Sequence, residues 1–474
     1  MPRPSRIALV AVAGLLGLVV VAAAVLVFVD ANVYRARLEA AVSDALGMQV
    51  RIGGRVAIGF FPRFVITLED VHIRNRGDDI ASAKEARLAV EFLPLLRKEV
   101  RIESIALKHA RIAIERKLDG QFNVENPDTA AASLPAVDWP SVSLSEGTLV
   151  YVDKRQGEGF EATDCRVDVR HLRLPGGQRA TLMKVVSFTA EVACGQAHGE
   201  RVAVSDLKFS AAAKEGIFDL SLLTTRVFGA QGSGSIRADF SGAVALYRVR
   251  CALPQFPVEE FFKTMGMQKV ATGRMDFSAD LALQGKTESE MRRSAKGQLS
   301  LRGKNLTLHG SDLDHEFARF ESSQNFNLVD VGAFFFAGPL GLVVTKGYNF
   351  ASIYQGGGVS SEIRTLVSEW KVERGVAQAQ DVAMATTQNR VALQGGLDFV
   401  NGQFDDVTVA LIDAKGCAKV RQRIRGSFEK PVVEKPSMLK SLTGPALRLL
   451  KKSADILRGE ECGVFYAGSV VAPK

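Results

Sequence analysis

The sequence predicts a mainly β protein: an N-terminal transmembrane helix followed by a long curled antiparallel β-sheet, a trough or groove, with a few short helices. Three observations carry this reading. An uncharged apolar run opens the chain. Apolar and polar residues then alternate with a period of two from residue 64 to residue 411. Gly, Asn and Asp punctuate the alternating runs, as at Gly285, Gly297, Gly303, Gly395-Gly396 and Asn401-Gly402. Alternation of this kind marks strands that are apolar on one face only.

The first element is residues 7–29, which carry no charge. A helix of that length reaches roughly 34 Å, enough to cross a hydrocarbon core of about 30 Å. The small residues Ala22-Ala23-Ala24 would suit a cleaved signal peptide, but the apolar run continues past them, which favours an uncleaved anchor. Arg3 and Arg6 place the N-terminus on the cytoplasmic side of a single-pass protein. Residues 31–46 read as a helix, with Val33, Leu38, Ala41, Val42 and Leu46 on one broad face.

Strand patterns follow. Ile66 and Leu68 alternate with Val65, Thr67 and Glu69, and Ile73 comes next with Val71. Leu88, then Ile112 and Ile114, then Val142 and Leu144 continue the series. Leu220 and Leu222, Phe277 and Leu281, Leu299, Leu306, Val391 and Leu393, and Val409 extend it toward the far end. Helical interruptions are expected over 258–268, over 287–296 with Thr287 as cap and Glu290 three residues on, and over 437–458. The apolar segment 328–337 holds three consecutive phenylalanines and reads as core or groove plug. The organisation expected is a cytoplasmic tip and anchor (1–30), an N-terminal region with its juxtamembrane helix (31–125), a linker or long loop (126–140), an extended antiparallel β region (141–436) and a C-terminal helix with a Cys-containing tail (437–474).

Composition narrows the function classes. Hydrophobic residues make up 47% and charged residues 24%, which is globular rather than disordered. The net charge of +8 is spread along the chain, and two Trp and six Tyr offer few stacking platforms, so no nucleic-acid partner is expected. None of the five cysteines forms a CxxC. Outside the cytoplasm the natural disulfide neighbours are Cys165 with Cys194 and Cys417 with Cys462, leaving Cys251 as a small buried hydrophobe; the alternative is five free, buried thiols.

Catalytic signatures are absent from the sequence. There is no HExxH and no GxSxG. Gly285-Lys286-Thr287 ends like a phosphate-binding loop, but Asp280 stands where its first glycine belongs. The densest acid–His cluster, Asp312, Asp314, His315 and Glu316, reads either as a metal site or as an acid-rich helix start, and the second accounts for it as well. Neither an enzyme nor a resident metal or cofactor is expected.

Several segments carry a family resemblance. GMQVRIGG (47–54), Phe61-Pro62, LEDVHIRN (68–75), FLPLL (92–96) and LDGQFN (118–123) resemble the N-terminal region of the AsmA family. LTLHGSDLD (306–314), FNLVDVGA (326–333), AGP (337–339), DVAMAT (381–386), GCA (416–418) and CGVFYAG (462–468) resemble its later segments. The resemblance implies a periplasmic protein anchored in a Gram-negative inner membrane through residues 7–29. It also implies a part in outer-membrane biogenesis, with phospholipid as cargo and an outer-membrane assembly partner. Members are similar to bridge-like lipid transfer proteins with an apolar β-trough. The apolar strand positions named above, from Ile66 to Val409, are then the lipid-groove candidates. The competing expectation is a non-enzymatic assembly or scaffold factor that modulates outer-membrane protein insertion. A trough and a filled sandwich give the same alternation.

Overall fold

The computed structural model describes residues 35–46, 48–59, 63–91, 94, 101–124, 136–155, 157–175, 182–199, 203–264, 270–323, 359–435, 437–438 and 462–473. The protein is mainly β, with 21 strands among these residues, and it divides into two compact units, Met1–Glu200 and Arg201–Lys474. The run 7–29, the segment 328–337 and most of the predicted C-terminal helix lie outside the described residues. Among the described residues no helix is long and apolar enough to cross a membrane.

The first unit begins with α1 (Arg35–Leu46), whose Leu38 and Val42 pack on an apolar cluster of the sheet. The strands are β1 (Gln49–Ile52), β2 (Val56–Gly59), β3 (Phe64–Asn75), β4 (Asp78–Val90), β5 (Ile102–Arg116), β6 (Val137–Asp153), β7 (Glu158–Leu174) and β8 (Ser187–Gly199), with a helical turn α2 (Leu182–Val185) before the last. β1 and β2 pair end to end with β3, and β3 to β8 pair in chain order. The edge strand β1 is protected by α1: Glu39 accepts from the Ile52 amide at 2.6 Å and Ser43 from the Val50 amide at 2.9 Å.

One pairing corrects the all-antiparallel expectation. β5 and β6 run parallel, from Ser104 opposite Ser141 to Arg116 opposite Asp153. A two-residue turn makes an antiparallel hairpin, whereas the long connection here lets the chain return to the end where β5 began. The LDGQFN segment fastens that exit. Buried Asn123 donates from Nδ2 to the Ala113 carbonyl at 3.0 Å and accepts from the Glu115 amide at 3.0 Å. The parallel strand also begins earlier than expected, at Val137 inside the stretch read as linker. Pro140, which has no N–H to offer, has no register partner on either side.

A row of left-handed residues crosses the unit: Asp70 (φ 55°), His109 (φ 47°), Glu146 (φ 52°) and Asp164 (φ 53°) in β3, β5, β6 and β7. The β6–β7 ladder is bulged beside Glu146 and Asp164, whereas β3 and β5 keep their register with β4 through Asp70 and His109; in β3 the alternation nevertheless slips by one at Asp70. Ile66 and Leu68 therefore share a face with Val71 and Ile73. Gly53 and Gly54 break β1 from β2 at the same place, because a Cβ on Gly53 would lie 2.1 Å from the Asp70 carboxylate.

The second unit contains β9 (Ala203–Lys214), β10 (Ile217–Val227), β11 (Ala230–Asp239), β12 (Leu246–Pro257), α3 (Val258–Thr264), β13 (Ala271–Gln284), α4 (Glu288–Ser294), β14 (Lys296–His309) and α5 (Leu313–Ser323). It continues with β15 (Ser360–Glu373), β16 (Val376–Ala385), β17 (Arg390–Asp398), β18 (Gln403–Ile412), β19 (Ala418–Gly426), β20 (Pro431–Val433) and β21 (Ser437–Met438). β9 to β19 form an antiparallel meander. Thr287 caps α4 by accepting from the Glu290 amide at 3.2 Å. Ser437 and Met438 add a strand segment beside β19 where a helix was expected, because the β19 edge offers free backbone partners.

The core of this unit lies under α3 and α5. Phe261, Phe262, Leu313 and Phe317 close over Leu306, Ile363, Leu366, Met384, Val391 and Leu411. The opposite face of β15–β19 is lined by small residues, Ala383, Ala392 and Ala410, and is covered by Phe465, Tyr466 and Val470 of the C-terminal segment. These strands are therefore buried on both faces.

Candidate functional site

Register places the apolar positions of the first unit in lateral rows. One runs Ile66, Leu88, Ile105, Val142, Val169, Ala190 across six strands. The next runs Leu68, Ala86, Leu107, Leu144, Val167, Val192. Beyond the bulges a third joins Ile73, Ala81, Ile112, Leu149, Ala162 and Ala197. A fourth links Ile114, Tyr151 and Phe160, of which Ile114 is 39% and Phe160 49% exposed. Directly opposed residues project from the same face, so the rows make one apolar wall. Most of its side chains are half-buried, and only Leu68 and Leu144 among the groove candidates here are buried.

The second unit shows two environments along one face. Leu220, Ile236, Val249 and Leu281 are register partners, and Ile236 is 42% exposed. Toward the far end the same face is filled. Phe277 packs at the edge of the core, Leu299 and Leu393 are buried, and Leu306, Val391 and Val409 have 0% exposure. A ligand has no access to these five, because α3, α5 and their aromatic side chains occupy the space beside them. The Leu222 side chain lies outside the described residues.

Sequence reading missed Ile105, Leu107, Leu149, Val167, Val169 and Phe160. Their signal was present as alternation, but the slip at His109, Glu146 and Asp164 hides its continuity. The acid–His cluster resolves as a helix start. Asp312 caps α5 by accepting from the His315 amide at 3.0 Å. Asp314 accepts from the hydroxyls of Thr386 and Thr387 and from Asn389. Among the described residues no group of three acidic, His or Cys side chains is placed to hold a metal. The Lys286 amide is taken by the Glu290 carboxylate at 2.7 Å, so this loop does not cradle a phosphate.

The cysteines pair as Cys165 with Cys194, across β7 and β8, and as Cys417 with Cys462; Cys251 is free. The second disulfide tethers a C-terminal lock. Phe465 and Tyr466 amides both donate to the Gly416 carbonyl. Tyr466 donates its hydroxyl to Asp381, while the Ser469 amide reaches the same carboxylate at 3.0 Å. Burial, and then Asp381, push the Tyr466 hydroxyl above the ordinary tyrosine value. Buried Arg390 donates to the Val470 carbonyl at 2.7 Å and to that of Asp413 at 2.8 Å, and stacks over the Tyr466 ring. DVAMAT, GCA and CGVFYAG, distant in sequence, thus meet at one place, with Asp314 of LTLHGSDLD anchored to the turn after DVAMAT.

The AsmA family model matches residues 1–175 and 186–327. The chain belongs to the AsmA family. No curated protein and no solved structure matches it. In this AsmA-family chain the matched span includes the whole apolar wall of the first unit and the partly open face of β9–β13.

Proposed function

We propose that this AsmA-family protein is held in a Gram-negative inner membrane by residues 7–29 and carries or guides phospholipid along the apolar wall, in support of outer-membrane biogenesis. The observation that carries the reading is the pair of continuous apolar rows from Ile66 to Ala190 and from Ile73 to Ala197, whose large side chains, Ile66, Leu88, Ile105, Val142, Val169, Ile73, Ile112 and Leu149, are all only half-buried. A globular core would bury such rows. Acyl chains laid against them would gain about 0.8 kcal/mol per buried methylene, with headgroups left in water at the margin. The process needs proximity and shape and no catalytic group.

The test is native mass spectrometry of the full-length chain, purified in detergent and transferred to a lipid-free amphipol. Wild-type protein is expected to retain several phospholipids per chain. Leu88→Asp/Ile112→Asp, which places carboxylates on two rows of the wall, should retain no more than half as many. Equal retention by both, or none by the wild type, removes the reading. A second reading, an assembly factor that binds outer-membrane protein machinery, is favoured by the fully packed end of the second unit, where β15–β19 are closed on both faces.

A further inference from the structure

The second unit carries a basic cavity on the face opposite its apolar rows. Arg237, Arg248 and Lys296 stand in one register row through Ala282, whereas Ile236, Val249 and Leu281 occupy the alternate positions. Arg293 joins them from the last turn of α4 and Arg374 from the β15–β16 hairpin, and together they line a cavity of about 800 Å³. Arg237 is neutralised by Asp219 at 2.9 Å and Arg248 by Asp280 at 3.3 Å. Among the described residues Arg293 and Lys296 have no ion-pair or hydrogen-bond partner, and Arg374 meets only the through-space field of its neighbour Glu373. The two carboxylates of the lining are engaged locally: Asp239 accepts from the Ser241 amide and hydroxyl, and Glu290 from the Lys286 amide. Arg293, Lys296 and Arg374 are thus left without a carboxylate in ion-pair contact among the described residues, while Asp239 and Glu290 keep their charge in the lining.

Their placement is built into the backbone. Arg374 (φ 51°) and Gly375 (φ 77°) form the two-residue turn between β15 and β16, a position where Asn or Asp is the usual occupant before glycine. The turn is wedged on α4: Gly375 donates to the Ala295 carbonyl at 3.0 Å, and a Cβ on Gly375 would lie 2.3 Å from the Arg292 carbonyl. Beside the cations the cavity also exposes Val244 (43%) and Leu246 (48%). Arginine and lysine without ion-pair contacts, next to an exposed apolar patch, match an anionic head joined to an apolar body, and guanidinium geometry suits phosphate.

We infer that this cavity binds the phosphate of an amphipathic phosphoester, with Arg293, Lys296 and Arg374 on the phosphate and Leu246 against its apolar part. The site lies off the apolar wall and stands or falls independently of lipid carriage there. The test is isothermal titration of the full chain in phosphatidylcholine nanodiscs with dihexanoyl-phosphatidylglycerol and, separately, with glycerol 1-phosphate. Saturable binding is expected, weakening as salt is raised and at least tenfold weaker in Arg293→Gln/Lys296→Gln/Arg374→Asn. Glycerol 1-phosphate binding tenfold or more below the lipid supports a lipid headgroup as the source; equal binding supports a soluble phosphoester in the same site. Arg374→Asn alone, a residue the turn accepts, should weaken binding about threefold and decides the matter if the triple variant fails to fold. No saturable binding of either probe, or unchanged affinity in a folded variant, overturns the inference.

Discussion

Asp398 shows how single residues are held in this sheet. It ends β17 and accepts from the Val400 amide at 2.9 Å, the Asn401 amide at 3.0 Å and the Asn401 side chain at 2.6 Å. Burial opposes its ionisation, but the hydrogen bonds from Asn401, Val400 and Gln403 outweigh burial and hold the carboxyl below the usual carboxylate range. A folded pKa below the unfolded one adds stability that is fully present above the unfolded value near 4 and is lost as pH falls through the folded value. Asp398→Ala is therefore expected to cost about 1–3 kcal/mol at pH 7, judged by hydrogen bonds to a charged acceptor. Urea titrations at pH 7 and at pH 3 check this: the gap should narrow in acid, and a gap that stays constant would contradict the assignment. This turn was visible in the sequence as Asn401-Gly402, whereas the network of its acceptor was not, since nothing in an Asp codon position distinguishes a turn acceptor from a solvated charge.

At the scale of elements, strands were the most legible part, because period-two alternation is a direct consequence of the pleat. The helix at 288–294 was legible from Thr287 and Glu290, whose cap chemistry is local. What escaped was non-local. The parallel step from β5 to β6 depends on how the connection after Asn123 returns, and the bulge residues depend on neighbours in other strands. Asp70 reads as an ordinary strand residue until Gly53 is seen against it. Helix α5 contributes Leu313 and Phe317, both at 0% exposure, to the closed end. Phe317→Ala should destabilise the second unit by about 3–5 kcal/mol, the range for deleting a fully buried aromatic ring. Denaturant unfolding followed through Trp370 fluorescence measures it, and a loss under 1 kcal/mol would show that α5 does not seal the core.

At the scale of the whole molecule, the groove candidates read from sequence fall into two environments that alternation alone does not distinguish. Ile66, Leu88, Ile112, Ile114 and Val142 lie on a partly accessible wall, and Leu306, Val391 and Val409 lie in a sealed core. The same pattern serves both, because the second layer that closes the core comes from α3 and α5 and not from the strands. The family segments were legible one by one, but their convergence at the C-terminal lock was not, since it brings residues 381–386, 416–418 and 462–468 together across the fold. Site-specific photo-crosslinking in intact cells separates the environments most directly, with a benzophenone amino acid at Leu88, Ile112 or Ile236, and at Leu306 or Val409 for comparison. Phospholipid adducts at the first three positions and none at the last two are the predicted result. Absence of adducts at all five, with the protein folded and abundant, would contradict the proposal that this AsmA-family chain carries lipid on its open face.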